Sequence, residues 1–293
     1  MDQGEEIDMH TRSIAVVLLA GLLWLALPCS AEAAESYDSC KGYITSLPAT
    51  ISAPGTWCLN QNLSSSASTG SGINITSKDV TLDCNDFLLD NSVVGAGTRA
   101  IGVRAVNVSN TTVRHCNVRG FQYGISVSGT NGGNLVEDNH LDSNTYTGIL
   151  LQGDGSIIRR NVIVDTGGSS VIAGAQGIYT GYSVDILDNT VAGVFANSGN
   201  TYGIRTSLNA SGSVSSNRVR GVIQSSAGVT RGIANFDSGR MTLSGNTVSG
   251  NGSASTVGVL CSGPSGRAKN NVVVGFPLGI SQCGNAGGND VAP

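Results

Sequence analysis

One short motif recurs along most of this 293-residue chain and constrains its fold more than any other feature. The motif is an apolar residue, two free positions, Asn, one free position and a second apolar residue, as in residues 186–191. The position of Asn is occupied by Asn85, Cys116, Asn139, Asn161, Asn189, Asn217, Asn246 and Asn271. Successive copies are 31, 23, 22, 28, 28, 29 and 25 residues apart. Recurrence at intervals of this length indicates a stacked repeat protein.

A second feature lies between these copies, where a Gly followed by Ile or Val begins a short strand-like run. These glycines are Gly102, Gly124, Gly148, Gly177, Gly203, Gly232, Gly258 and Gly279. Alternate apolar residues in such runs can point into a coil and stack on their equivalents in the next repeat. The Asn side chains can hydrogen-bond along the stack, and Asn tolerates the left-handed backbone of a tight corner. The two patterns together predict an all-β chain folded as a parallel β-helix.

Leucine-rich repeats are the competing class, because they share an L-x-x-N/C-x-L core and also allow Cys in place of Asn. They usually contain a helical or 3₁₀ segment in each repeat. Here the segments between the predicted strands are rich in Gly, Ser and Asn, as in residues 165–170 and 196–201. A composition with 41 Gly and only 12% charged residues also suits short strands and tight turns. These observations favour the β-helix.

Residues 1–33 are predicted to be a signal peptide. Residues 14–27 form an apolar run that is too short to span a bilayer, and the small residues Ala31 and Ala33 follow it. Translation from Met9 would place Arg12 in a basic segment before the run, so Met9 is the candidate initiator. The predicted organisation is a signal peptide (1–33), an N-terminal cap (34–78) and a β-helix (79–293). We expect a secreted or periplasmic protein without membrane contact after cleavage.

The net charge of the chain and the spacing of its possible metal ligands argue against several functions. Without residues 1–33 the chain has 15 basic and 15 acidic residues, which does not favour nucleic acid or an anionic membrane as a partner. No cofactor or metal site is predicted. Asp83, Asp86 and Asp90 could offer oxygen ligands to Ca²⁺, but their spacing is unspecific.

Six cysteines remain after signal cleavage, an even number that fits disulfides in an oxidising compartment. A metal site is disfavoured because the sequence contains no C-x-x-C. The repeat positions narrow the possible pairings to Cys40–Cys58, Cys84–Cys116 and Cys261–Cys283. The alternative for Cys84 and Cys116 is that they are free thiols stacked in the core.

Residues 40–59 resemble the N-terminal cap of secreted bacterial right-handed parallel β-helix proteins of the pectin-lyase-like superfamily. Residues 80–85 and 113–121 look like the first two coils of that family, and the resemblance extends over nearly all of residues 38–288. It implies a right-handed β-helix of about seven to nine coils with a disulfide-linked cap. It says little about activity, because this architecture includes lyases, hydrolases, epimerases and proteins without known catalysis.

In pectate-lyase-type relatives, the site usually lies outside the first strand of each coil, which the resemblance places on the Gly-Ile strands. The outward positions two residues after each Gly are Arg104, Ser126, Leu150, Tyr179, Arg205, Ala234, Leu260 and Ser281. None is a carboxylate, whereas acid–base cleavage of a sugar chain needs two carboxylates or a base beside a cation. The motifs of polygalacturonases and alginate epimerases are also missing. The sequence therefore disfavours an enzyme without excluding one.

Two functions follow from these observations. The favoured one is a protein that binds a polysaccharide or serves as an extracytoplasmic scaffold without catalysis, and the alternative is a polysaccharide lyase or glycoside hydrolase. For a glycan groove, Arg side chains would pair with uronate carboxylates and Tyr would stack on sugar rings. The candidate binding residues are Arg104, Tyr179, Arg205, Asp154 and Asp237.

A second candidate is a charged cluster around the Asn bend of the early coils. Its members are Arg114, His115, Glu137, Asp138, His140 and Arg159. Along the stack the signs alternate, so like charges do not face each other on neighbouring strands. An exposed salt-bridge ladder of this kind contributes little stability per pair. We favour that interpretation over a catalytic His/Glu/Arg site.

Overall fold

The computed structural model describes residues 39–208, 210–223, 228–236, 240–253, 256–263 and 265–293. In these ranges the chain forms three parallel sheets, and each strand pairs with its equivalents one turn before and one turn after. The 3₁₀ segment Ser92–Gly97 is the longest helical element of the described residues. The predicted all-β solenoid is therefore confirmed, and the leucine-rich alternative is wrong. The predicted signal peptide lies outside the described residues.

The first sheet, here called sheet 1, contains the strands that precede the Asn bend. It has eleven strands: Gly42–Ile44, Gly55–Leu59, Val80–Asp83, Thr111–Arg114, Leu135–Glu137, Ser156–Arg159, Val184–Leu187, Gly212–Ser215, Met241–Ser244, Arg267–Lys269 and Gly284–Asn285. From Val80 onward the chain returns to this sheet nine times, which corresponds to about eight turns.

Sheet 2 follows the Asn bend. It has ten strands: Leu63–Ser64, Leu88–Asp90, Asn117–Arg119, His140–Asp142, Val162–Val164, Thr190–Phe195, Arg218–Ile223, Thr247–Ser249, Val272–Val274 and Asp290–Ala292. Sheet 3 contains the Gly-Ile strands. Its ten strands are Ala49–Ile51, Ser71–Ile75, Ile101–Val106, Tyr123–Ser128, Thr147–Gln152, Ala175–Gly181, Thr201–Ser207, Thr230–Asn235, Thr256–Cys261 and Leu278–Ser281.

The core is a set of apolar columns that run along the solenoid axis. On sheet 1, Val136, Ile158 and Ile186 are paired directly and are fully buried. On sheet 3, Ile178 and Ile204 form the corresponding buried pair. Because parallel strands in register place equivalent residues one above the other, each apolar side chain of the motif packs on its copy in the next turn.

The Asn ladder predicted at the bend is present and buried. Asn189 donates through Nδ2 to the carbonyls of Ile158 (3.1 Å) and Leu187 (2.9 Å) and to Oδ1 of Asn217 (3.0 Å). Its own Oδ1 accepts from the backbone N–H and the Nδ2 of Asn161, each at 3.0 Å. The ladder consists of Asn139, Asn161, Asn189, Asn217, Asn246, Asn271 and Asn289.

The prediction that Asn adopts the left-handed backbone of the corner is wrong for these ladder residues. The residue with positive φ is the one immediately before, such as Asp138 (54°), Arg160 (54°) and Asp188 (57°). This residue lies at the bend between sheet 1 and sheet 2 and is more exposed than the following Asn, which is buried. The ladder Asn is therefore selected for its amide group, which satisfies buried backbone groups of the bend.

The first and last turns differ from the sequence prediction. Asn85 is not a ladder residue, because its bend is two residues longer and both Asn85 and Asp86 have positive φ (47° and 61°). Leu89, rather than Phe87, pairs with Val118 in the core. At the other end Asn289 extends the ladder. Residues 286–291 match the motif, so the sequence contains this copy as well.

All three predicted cysteine pairs, Cys40–Cys58, Cys84–Cys116 and Cys261–Cys283, are disulfide-bonded in the structure. Cys116 also donates its backbone N–H to Oδ1 of Asn139 (3.0 Å), which is the contact that each ladder Asn makes with the next. The Cys84–Cys116 bond therefore continues the column in which later turns have Asn. The free-thiol alternative for this pair is wrong.

Candidate functional site

The outer face of sheet 3 displays two columns of side chains rather than one. The predicted column is present, since Tyr179 pairs with Arg205 and Arg205 with Ala234. A second column consists of the residues just before each Gly: Ile101, Tyr123, Thr147, Gln176, Tyr202, Arg231, Val257 and Leu278. Both the Gly and the residue after it face the core, which turns the residue before the Gly outward.

Where the two columns are most aromatic, they form a site that we call the aromatic–arginine cleft. Its residues are Tyr146, Gln176, Tyr179, Tyr202, Arg205, Arg231 and Phe236. Four of these residues line a cavity of about 290 Å³ together with loop residues; the lining includes Tyr146, Gln176, Tyr202, Arg205, Ala173, Gly174, Gly199 and Asn200. An aromatic, concave site with a few converging polar groups is typical of ligand binding.

Arg205 lies at the centre of the cleft, and its guanidinium group stacks on three aromatic rings. Its guanidinium carbon is 5.0 Å from the centroid of Tyr179, 5.2 Å from that of Tyr202 and 5.2 Å from that of Phe236. These distances are within cation–π range. The Nε atom is buried and has no hydrogen-bond partner within the described part of the chain. The charge is thus positioned by stacking, and Arg205 also lines the cavity of the cleft.

Arg231 supports the same cluster from the next strand. Its guanidinium carbon is 5.2 Å from the Phe236 centroid and 5.7 Å from that of Tyr202, and it donates to the Tyr202 hydroxyl at 3.2 Å. The rings of Tyr202 and Phe236 pack edge to face, with their centroids 5.4 Å apart. These contacts fix the two rings that flank Arg205. The cleft is therefore preorganised, which lowers the entropy cost of binding.

Hydrogen bonds orient the remaining polar groups. The Tyr179 hydroxyl accepts from Ser207 at 2.9 Å, and Gln176 Nε2 donates to the Tyr146 hydroxyl at 3.4 Å. Gln176 is only 3% exposed, yet its Oε1 has no partner among the described residues. An unpaired buried acceptor is costly unless a donor reaches it.

The tyrosines at one end of the site remain uncharged at neutral pH. Burial raises the pKa of Tyr123 to about 12, and the neighbouring Tyr146 and Tyr179 add to the shift. Burial also raises the pKa of Tyr146, although the Arg205 charge acts in the opposite direction. Tyr123 and Tyr146 pack edge to face at 5.4 Å. These phenols are hydrogen-bond donors and stacking surfaces rather than bases.

The other predicted binding residues do not converge on this cleft. Arg104 is in the same column as Tyr179 but three strands away, about 14 Å at the usual strand spacing, and donates to Oδ1 of Asn74 at 3.3 Å. Asp154 accepts the backbone N–H of Ser183 at 3.0 Å and so caps a turn. Asp237 lies outside the described residues.

Sequence reasoning missed Gln176, Arg231 and Phe236. It assumed strict alternation along the Gly-Ile strands, which would turn the residue before each Gly toward the core. The available signal was the recurrence of large polar or aromatic residues at that place, in Tyr123, Gln176, Tyr202 and Arg231. Such residues are rarely placed in a solenoid core.

The charged cluster at the Asn bend forms paired charges. Asp83, whose side chain is 4% exposed, contacts Arg114 at 2.8 Å and His115 Nδ1 at 3.2 Å. Glu137 contacts both Arg159 and Arg160 at 2.8 Å. His140 is one bend further along, on sheet 2 between Asn117 and Val162.

Arg160 also binds Asp138 at 2.7 Å, and this hydrogen bond lowers the pKa of the Asp138 carboxyl. The alternating signs therefore produce ion pairs between successive turns of sheet 1. Carboxylates that are neutralised in this way are poor general bases. The geometry agrees with the salt-bridge ladder.

Among the described residues no group of three or more His, Cys, Asp or Glu side chains is arranged to hold a metal ion. Within that same part of the chain, no helix is long and apolar enough to cross a membrane.

Comparison with known proteins supports the fold. Residues 54–193 match the model of a family described as a right handed beta helix region. The crystal structure of the Dettilon tailspike protein (gp208) is 14% identical with a TM-score of 0.52, covering 85% of this chain and 60% of that one. The chain thus spans about 60% of the tailspike's length. No curated protein matches the chain.

Two further structures have lower TM-scores. The catalytic unit of the GH87 alpha-1,3-glucanase from Streptomyces thermodiastaticus strain HF3-3 is 15% identical, with a TM-score of 0.39 and coverage of 85% of this chain and 63% of that chain. The alginate lyase from Paenibacillus sp. str. FPU-7 is 14% identical, with a TM-score of 0.38 and coverage of 86% and 97%. The match over residues 54–193 and the likeness to the tailspike agree with the parallel β-helix that the three sheets form.

Proposed function

We propose that this protein is a secreted β-helix protein that binds an acidic polysaccharide in the aromatic–arginine cleft without cleaving it. The observation that carries the proposal is Arg205, whose guanidinium is stacked among three rings and which lines the cavity of the cleft. The disulfides support an oxidising compartment.

The cleft offers the three kinds of contact that an acidic sugar chain requires. The Arg205 guanidinium can form charge-assisted hydrogen bonds with a uronate carboxylate. The rings of Tyr146 and Tyr202 line the cavity and provide apolar surface for the sugar ring, and Tyr179 stacks on Arg205 beside them. The Gln176 side chain adds a polar group to the lining. Successive strands repeat at about 4.8 Å, so an extended chain would follow the face of sheet 3 across several turns.

The same geometry disfavours cleavage. Among the described residues that line the cleft, none is an Asp or Glu. Glycoside hydrolysis requires a pair of carboxylates, and β-elimination requires a base beside a neutralised acidic sugar. Asp237, next to Phe236 in the sequence, is the acid that would support the alternative of a lyase or hydrolase.

We expect Arg205→Ala to weaken binding of oligogalacturonate or oligoalginate by about 10- to 100-fold, the loss that corresponds to one charged hydrogen bond. Tyr179→Ala should weaken it as well, because the stacking surface is removed. Isothermal titration calorimetry measures both affinities. Lys78→Ala is the matched control, since it removes the same charge from an exposed site on another turn. Circular dichroism confirms that each variant is folded.

Unchanged affinity in folded Arg205→Ala, together with loss in His115→Ala or Glu137→Ala, would place the site at the charged cluster and contradict the proposal. A reducing-sugar assay and the absorbance of unsaturated products test for cleavage. Turnover that disappears in Asp237→Asn would support the enzymatic alternative.

A further inference from the structure

Charge is unevenly distributed along the solenoid. Residues 39–188 contain eight Lys or Arg and eleven Asp or Glu, whereas residues 189–289 contain seven Lys or Arg and one Asp. The near-neutral total therefore conceals a basic C-terminal half. Charges that are grouped in this way create a local positive potential that a balanced whole-chain charge does not reveal.

On sheet 1, the Lys and Arg side chains of the early turns have different neighbours from those of the late turns. In the early turns, Arg114 and Arg159 each lie 2.8 Å from a carboxylate on a neighbouring strand. In the same column of the late turns, Lys269 pairs with Ser244. Arg267, in the next outward column, has Thr242 and Gly284 as its strand neighbours. Residues of the same sheet thus change from neutralised pairs to cations beside hydroxyl groups.

Arg240, Arg267 and Lys269 are exposed on this face. Arg240 and Arg267 line a shallow surface depression of about 470 Å³ together with Thr242 and Ser265. Residues 240–289 contain no Asp or Glu. We call Arg240, Thr242, Ser244, Ser265, Arg267 and Lys269 the basic face.

We propose that the basic face is a second ligand site, which binds the sulfate or phosphate esters of a polyanionic glycan. Guanidinium and ammonium groups supply charge, and the Ser and Thr hydroxyls supply further donors to tetrahedral oxyanions. Four residues of the basic face lie in sheet 1 strands, and Arg240 and Ser265 lie just before those strands, whereas the aromatic–arginine cleft lies on sheet 3. The inference therefore does not depend on the function proposed for the cleft.

A glycan fits this face better than a nucleic acid. Single-stranded nucleic acids are held by aromatic rings on which bases stack, in addition to basic side chains. The basic face contains no aromatic residue, and the only aromatic residue in positions 240–289, Phe276, is buried at 2% exposure. The basic face therefore offers only cationic and hydroxyl groups, which bind the oxyanions of ester groups rather than nucleic acid bases.

The test measures the affinity of the full chain for a heparin decasaccharide and for polyphosphate, at several salt concentrations. Arg267→Ser with Lys269→Ser should weaken binding of the preferred polymer by about 10-fold or more and reduce its salt dependence. Lys78→Ser with Arg99→Ser is the matched control, because it removes the same charge from exposed positions of the acidic half. The control should retain its affinity.

Comparison of the two polymers identifies whether sulfate or phosphate oxyanions are preferred. Three outcomes would overturn the proposal. The first is an equal loss in the control, which would show bulk attraction only. The second is a comparable loss in Arg205→Ala, which would place these anions in the cleft. The third is tighter binding of single-stranded DNA than of either polymer.

Discussion

Replacing Asn189 by Ala is expected to lower the free energy of unfolding by about 3 kcal/mol, at the upper end of the cost of leaving a buried group unpaired. The substitution removes three donated and two accepted hydrogen bonds in one column. The ladder is continuous, so the carbonyl of Ile158 and the amide of Asn161 lose partners in a region that water does not reach. Urea denaturation followed by circular dichroism measures the change.

Asn197→Ala is the control for this experiment. Asn197 is exposed, and its amide donates to the carbonyl of Gly168 at 3.1 Å on the surface of the solenoid. We expect a change within about 0.5 kcal/mol, as for most surface substitutions. Equal effects of the two variants would show that the ladder contributes no more than an ordinary surface contact.

Gly203→Ala is expected to be destabilising by about 2–3 kcal/mol because it overfills a packed core. A Cβ at this position would lie 2.3 Å from Cγ1 of Val219 and 2.5 Å from the carbonyl oxygen of Gly232. The side chain of Val219 could shift, but the neighbouring strand cannot move without breaking its pairing. The same reason explains why Gly recurs at this place in every turn.

Gly263→Ala provides the comparison, since a Cβ there would have no neighbour within 4 Å among the described residues. The free energy of unfolding of this variant should be unchanged or slightly higher, because Ala restricts the conformations of the unfolded chain. The transition midpoints of the two variants in urea should therefore move apart. If Gly203→Ala were as stable as Gly263→Ala, the recurring Gly would be a turn preference and not a packing requirement.

The sequence predicted the solenoid because its two periodic patterns have a direct physical meaning. An Asn repeated once per turn predicts an amide ladder, and an apolar residue on each side of it predicts core columns. The resemblance of residues 40–59 added the handedness and the cap, whose boundary at residue 78 stays a prediction. The Cys84–Cys116 pair could be predicted because Cys116 occupies the place of Asn in the same motif.

The repeat motif does not predict the length or the backbone conformation of each individual bend. The bend after Leu82 contains two additional residues, so Asn85 matches the motif but not the ladder. The left-handed residue is Arg160 in one turn and Asp188 in the next, and only Asp is a residue type that favours this conformation, so the position has no consistent sequence signal. Tertiary pairing of the strands overrides these local preferences.

The candidate site was predicted only in part. Tyr179 and Arg205 were identified because alternation places them outward on adjacent strands. Arg231 and Gln176 were missed because the turned-in Gly breaks that alternation. Arg104 lies on the predicted column but far along the axis, and distance along a solenoid depends on the number of turns between two residues rather than on their chemistry.

The most direct measurement is a crystal structure of the protein with a bound acidic oligosaccharide. We expect a uronate carboxylate within about 3 Å of the Arg205 guanidinium and a sugar ring against Tyr179 or Tyr202. The chain should be intact and should extend along sheet 3. An oligosaccharide bound at His115 and Glu137, or cleaved product in the aromatic–arginine cleft, would contradict the account.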